Sequence, residues 1–161
     1  MIDRYRDIKG SRKVHHVLSA DEIEKLKEDI LGIDADIKVF DFNNESYEGT
    51  CYLDEFDIVI INGNVLPDVK SGSVHPRDIM STRAVIAHEY YGHRTYRNTK
   101  LEKNSWEDEY RASRTAAEIT PNLTDEERRH LVMDALERKR EAGIVPVPDD
   151  FEKKVLYREA F

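Results

Sequence analysis

The chain has a single cysteine, Cys51, in its 161 residues. No internal disulfide can form, and no cluster of thiolates can hold a metal ion. Cys51 lies in an apolar run and reads as a small buried hydrophobe rather than a nucleophile. Long apolar stretches are also missing. Nothing approaches the ~20 apolar residues that cross a bilayer, so no membrane span is expected. The opening "MIDRYRDIKGSRKVHH" lacks the apolar core of a secretory signal, which points to a cytoplasmic chain. Basic excess is absent too: the formal net charge is -8, a poor footing for binding nucleic acid. The one basic run, Arg138-Lys139-Arg140, is flanked by Glu137 and Glu141 and reads as a solvated helix end. There are no repeats and no low-complexity tracts.

What is present fits one domain over residues 1–161. Its 39% hydrophobic content suffices for a core, and the 36% charged content belongs on solvated helix faces. Ser19 and Glu22 form a capping box, and Leu18 can staple onto Ile23. Ile23, Leu26, Ile30 and Leu31 follow at helical spacing, and Gly32 is the expected stop. Residues 37–42, 50–53 and 57–61 read as strands of a small antiparallel or mixed sheet, with a turn at Asp54-Glu55-Phe56. A loop is expected over 65–78, then a helix over about 78–97. Ser105 caps another helix. Thr124 and Glu127 make a second capping box, opening a helix that runs to Glu141 and stops at Gly143. The tail is extended at its prolines and then helical. The order implies an α+β fold, with a small sheet packed on helices.

The helix over 78–97 carries "RAVIAHEYYGHRTYR". Zinc hydrolases place two His on one helix with a Glu beside the first. At a spacing of four both imidazoles reach one ion, and the Glu is placed to take a proton from a bound water. Here His88 and His93 are five apart. On an ideal α-helix that step turns a side chain by roughly 140°, against about 40° for a step of four. The two rings converge only if a π-bulge widens the turn, which Gly92 would tolerate, or if the helix ends at Gly92. Glu89 stands where a general base belongs. A third ligand is sought on the next helix. There Trp106, Glu109, Ser113 and Ala116 share the least charged face, and a carboxylate on such a face needs a partner. Glu107 and Asp108 are the alternatives, as is a surface role for Glu109 paired with Arg111 or Arg83.

"HEYYGH" followed by "EYRAS" resembles the gluzincin-type zincin metallopeptidases. The resemblance implies His88, His93 and Glu109 as ligands of Zn2+ and Glu89 as the general base. His93 matches only with one residue inserted. It further implies hydrolysis of a peptide or protein substrate. The stretch "HPRDIMSTRAVIAHEYYGHR" also looks like zincin-like domains attached to phage structural or bacterial toxin proteins, which would imply a secreted or translocated chain. The other reading is a non-catalytic interaction domain on a zincin fold, with or without bound metal.

Several residues are set aside. His75 reads as a helix cap or loop residue, although a role as fourth ligand or oxyanion donor is open to it. His15 and His16 are adjacent and point apart. His130 lies on a charged helix and reads as exposed. Among Tyr90, Tyr91, Tyr96 and Tyr110, Tyr110 is the first candidate for an oxyanion donor because it neighbours Glu109.

Overall fold

The computed structural model describes residues 12–34, 37, 40–68, 72–99 and 101–157. Its first helix, α1 (Ala20–Ile33), begins at the capping box of Ser19 and Glu22. It runs one residue past Gly32 and ends at Asp34, whose N–H bonds to the Ile30 carbonyl. Three short strands follow: β1 (Phe40–Phe42), β2 (Cys51–Leu53) and β3 (Ile58–Ile61). Residues 38 and 39 of the expected first strand lie outside the described residues. The sheet is mixed, in the order β1-β3-β2. β1 runs parallel to β3, and β2 runs antiparallel to it with Tyr52 opposite Val59. β3 is therefore central and buried at Val59, Ile60 and Ile61, while β2 forms an edge.

The expected helix over about 78–97 is in fact two pieces. A single turn, α2 (Pro76–Ile79), is capped by His75, and Met80 then turns extended. Ser81 caps a new start, accepting from the Ala84 N–H, so the site helix begins with α3 (Thr82–Ala87). The break is held from far along the chain. The buried Arg12 guanidinium donates to the carbonyls of Arg77, Asp78 and Met80 and to those of Asn64 and Val65. Those carbonyls, at the end of α2 and in a 3-10 turn at Gly63–Val65, have no helical partner of their own. Burial lowers the Arg12 pKa to about 10.

From Ala87 the helix passes without interruption into a π-helix over His88–His93, then back to α geometry at Arg94 and Thr95. The remaining helices are α4 (Trp106–Ile119), α5 (Asp125–Glu141) and α6 (Asp150–Leu156). Ser105 caps α4, and Thr124 with Glu127 forms the capping box of α5. α5 ends at Ala142, with Gly143 in the left-handed region. One apolar cluster joins α1, the sheet, α3, α4 and α5 through residues such as Leu26, Val59, Ile86, Ala116 and Leu131. The fold is α+β, a small sheet packed on helices. Among the described residues, no helix is long and apolar enough to cross a membrane.

Candidate metal centre

The π-helix brings the two histidines together. In a π-helix an N–H bonds five residues back, as Arg94 N–H does to the Glu89 carbonyl, so residues five apart lie about one turn above each other. The rings of His88 and His93 have centroids 4.8 Å apart, with their planes at 84°. Gly92 serves a further purpose that its neighbours in sequence do not reveal. A Cβ there would lie 2.3 Å from the Ala112 carbonyl oxygen. The bare glycine lets the π-helix press directly on the backbone of α4, which carries Glu109.

Glu109 Oε1 lies 3.0 Å from His88 Nε2 and 3.4 Å from His93 Nε2. The three donor atoms lie within 4.8 Å of one another. Zinc bonds of about 2.0–2.1 Å at tetrahedral angles separate neighbouring donors by about 3.3 Å, so the spacing suits such an ion. Glu107 is exposed on α4. Asp108 instead faces the far side of His93, with Oδ1 3.5 Å from Nδ1.

The hydrogen bonds behind His88 fix its tautomer. Ser113 Oγ donates to Asp134 Oδ2 at 2.6 Å. A hydroxyl has one proton, so Ser113 Oγ must accept from His88 Nδ1, 2.8 Å away. Nδ1 therefore carries hydrogen. In the neutral ring the Nε2 lone pair is then aimed at the Glu109 carboxylate, and two acceptors 3.0 Å apart require a cation between them. A second proton or a metal ion satisfies that need, and two imidazoles with one carboxylate are a zinc-type donor set. Backing of a ligand histidine by a hydroxyl and a buried carboxylate is the kind of support that orients metal ligands.

Asp134 and Ser113 are both fully buried, at 0% exposure. Arg77 Nε, 3.2 Å away, and Arg138 Nε, 3.3 Å away, neutralise the Asp134 carboxylate. Burial opposes its ionisation, but Arg138 and Arg77 overcome this and hold its pKa at about 2. Burial works likewise against a charged Glu109. His93, His88 and Arg138 reverse that and keep Glu109 well below the usual carboxylate range. Burial also disfavours protonated His93, yet Glu109 and Asp108 raise its pKa well above that of a free imidazole. A metal must displace that proton to bind. Glu89 behaves oppositely: burial raises its pKa, with His88 and His93 only partly compensating. A carboxylate so raised is a better proton acceptor than its neighbours.

No protein-family model, curated protein or solved structure matches the chain.

The His88, Glu89, His93 and Glu109 side chains line a cavity of about 450 Å³. The cavity is also lined by Thr50 and by the edge strand β2, with Cys51, Tyr52 and Leu53. Cys51 is half-buried, and burial together with the charge of Glu89 raises its thiol pKa to about 11, which leaves it unreactive. Lys103 Nζ reaches Asp54 Oδ1 at 2.6 Å, tying the 101–104 segment to the β2–β3 turn, and both residues line the cavity.

The other histidines stand apart. His75 Nδ1 accepts from the Arg77 N–H at 3.1 Å, which is its capping role. Its Nε2 faces Glu141 at 3.4 Å and Glu137 at 3.8 Å. Because Nδ1 is the acceptor, Nε2 bears the hydrogen and offers no lone pair to an ion. His16 Nε2 pairs with Glu22 at 2.8 Å. His130 is half-buried rather than exposed, and burial lowers its pKa. Tyr110, the first oxyanion candidate by sequence, turns away from the site and donates to Glu152 Oε2 at 2.9 Å. Tyr96 lines the cavity and stacks under Arg111.

Two groups at the centre lie outside the motif, Asp134 and Arg138; Ser113 belongs to it as the serine of "EYRAS", and only its bridging to Asp134 goes unsignalled. Arg138 belongs to the basic run assigned to solvent, but its side chain is only 16% exposed. A sign was available at Asp134, an acid set among Leu131, Val132 and Ala135 on the inward face of α5.

Proposed function

We propose that this chain is a zinc-dependent peptidase domain resembling the gluzincins. The observation that carries the reading is the convergence of His88 Nε2, His93 Nε2 and Glu109 Oε1 through a π-turn, beside an ionisable Glu89 in one cavity. Bound zinc would acidify water and polarise a carbonyl there. Glu89 accepts the proton of a water attacking a peptide carbonyl carbon. As the new C–O bond forms, the carbonyl pair moves onto its oxygen. When the C–N bond breaks, Glu89 returns the proton to the leaving nitrogen. The edge strand β2 supports a peptide as substrate, since an extended chain can add to it by backbone hydrogen bonds.

Metal analysis of purified protein tests the centre: about one zinc per chain is expected, lost when His88 and His93 are both changed to Ala. Glu89→Gln separates enzyme from binding domain. It should retain zinc and lose peptide hydrolysis. Zinc retained with no hydrolysis by the wild type on any peptide library favours the non-catalytic domain.

A further inference from the structure

Arg138 is oddly placed for a structural cation. Its Nη2 lies 3.7 Å from Glu109 Oε1, the atom that faces both imidazoles. Its Nε is anchored on Asp134 at 3.3 Å by an i,i+4 pairing along α5. Its side chain lines the same cavity as His88, Glu89 and His93. Asp134 has a second guanidinium in Arg77 and a hydroxyl in Ser113, so it does not need the outer nitrogens of Arg138. Beside a divalent ion already offset by Glu109, a further positive charge repels the metal and lowers its affinity. Such a charge is of use where an anion arrives.

We propose that Arg138 is a catalytic residue that donates to the oxygen anion formed when water adds to the substrate carbonyl. The inference rests on the peptidase reading above. A guanidinium lining the cavity gives a charge-assisted hydrogen bond to an oxyanion, and a side chain anchored at Nε pays little reorganisation to do so. It takes the part that Tyr110, committed to Glu152, cannot play. The ligand class is an oxygen anion of tetrahedral shape, so a phosphonate is a fair mimic of the adduct.

The test uses the full chain loaded with cobalt(II), whose visible absorption reports ligands near the ion. Methylphosphonate should change the wild-type spectrum on binding. Arg138→Met should weaken that binding about tenfold or more, and Arg138→Lys should recover part of it. Imidazole, a neutral metal ligand, should bind wild type and Arg138→Met alike. Cobalt affinity of Arg138→Met should equal or exceed that of wild type, whereas a purely structural role would lower it. Equal phosphonate affinity in wild type and Arg138→Met overturns the proposal. So does a wild-type spectrum indifferent to phosphonate, which needs no variant to fold. A wild type that takes up no cobalt refutes the metal centre itself, a different failure from loss of phosphonate selectivity.

Discussion

Glu107 and Glu109 stand two positions apart on α4 and meet opposite surroundings. Glu107 points to solvent, while the Glu109 Oε1 faces two imidazoles and the Arg138 guanidinium. Ionised Glu109 beside His93 is the local solution to burying a carboxylate, since an unpaired buried charge is costly. Under the proposed zinc site, the same contrast predicts their effects on metal binding. Glu109→Ala should weaken zinc affinity by at least about 10–100-fold, the scale seen when mere supporting partners are lost. Glu107→Ala should change it little. Competition with a chromogenic chelator measures both, and equal affinities for wild type and Glu109→Ala would remove Glu109 from the ligand set.

At the scale of elements, the site depends on how closely the π-helix approaches α4. A methyl at Gly92 would collide with the backbone of Ala112, and a backbone carbonyl cannot swing aside as a side-chain tip can. Gly92→Ala must therefore push α4 away and pull Glu109 off the His pair. Overpacking of this kind costs about 1–3 kcal/mol. Thermal melting should show that loss, and chelator competition should show weaker zinc binding with it. A Gly92→Ala chain with wild-type affinity would mean that the contact is not what sets the geometry. Much at this scale was legible in the sequence, because caps and spacing are local. Ser19 with Glu22, Ser105, and Thr124 with Glu127 mark the helix starts found in the structure. The five-residue spacing of the histidines required a widened turn or a helix end, and the π-helix is the form adopted. What escaped was set by distant residues. The carbonyls freed at the break near Met80 are taken up by the side chain of Arg12. The roles of Asp134 and Arg138 need α5 to lie against α4, which no pattern within α5 reveals.

Across the whole molecule, the buried charges behind the site make stability depend on pH, and the signs differ from group to group. Asp134 has its pKa lowered from 3.8 to about 2. Its contribution is complete above the ordinary value and is lost as pH falls through about 2. On linkage grounds it is on the order of 2 kcal/mol. Glu109, Asp108 and Glu127 are lowered too and act in the same direction. Glu89 acts oppositely: its raised pKa costs stability as pH climbs through the ordinary carboxylate range. His93, also raised, contributes at low pH and loses that contribution as pH rises through its folded pKa. The acid limb below about pH 4 should therefore belong to the lowered carboxylates, with Asp134 prominent among them. Asp134→Asn keeps the shape but leaves Arg77 and Arg138 without their shared anion. That loss should destabilise the protein by several kcal/mol at neutral pH, as when one partner of a buried pair is removed. The same variant has no carboxylate to protonate at that position, so it should lose less on acidification than wild type. Urea unfolding at intervals from about pH 5 to about pH 2 gives both curves, and their separation should narrow towards the acid end. Parallel curves across that range would show that Asp134 is not the group whose protonation the fold resists.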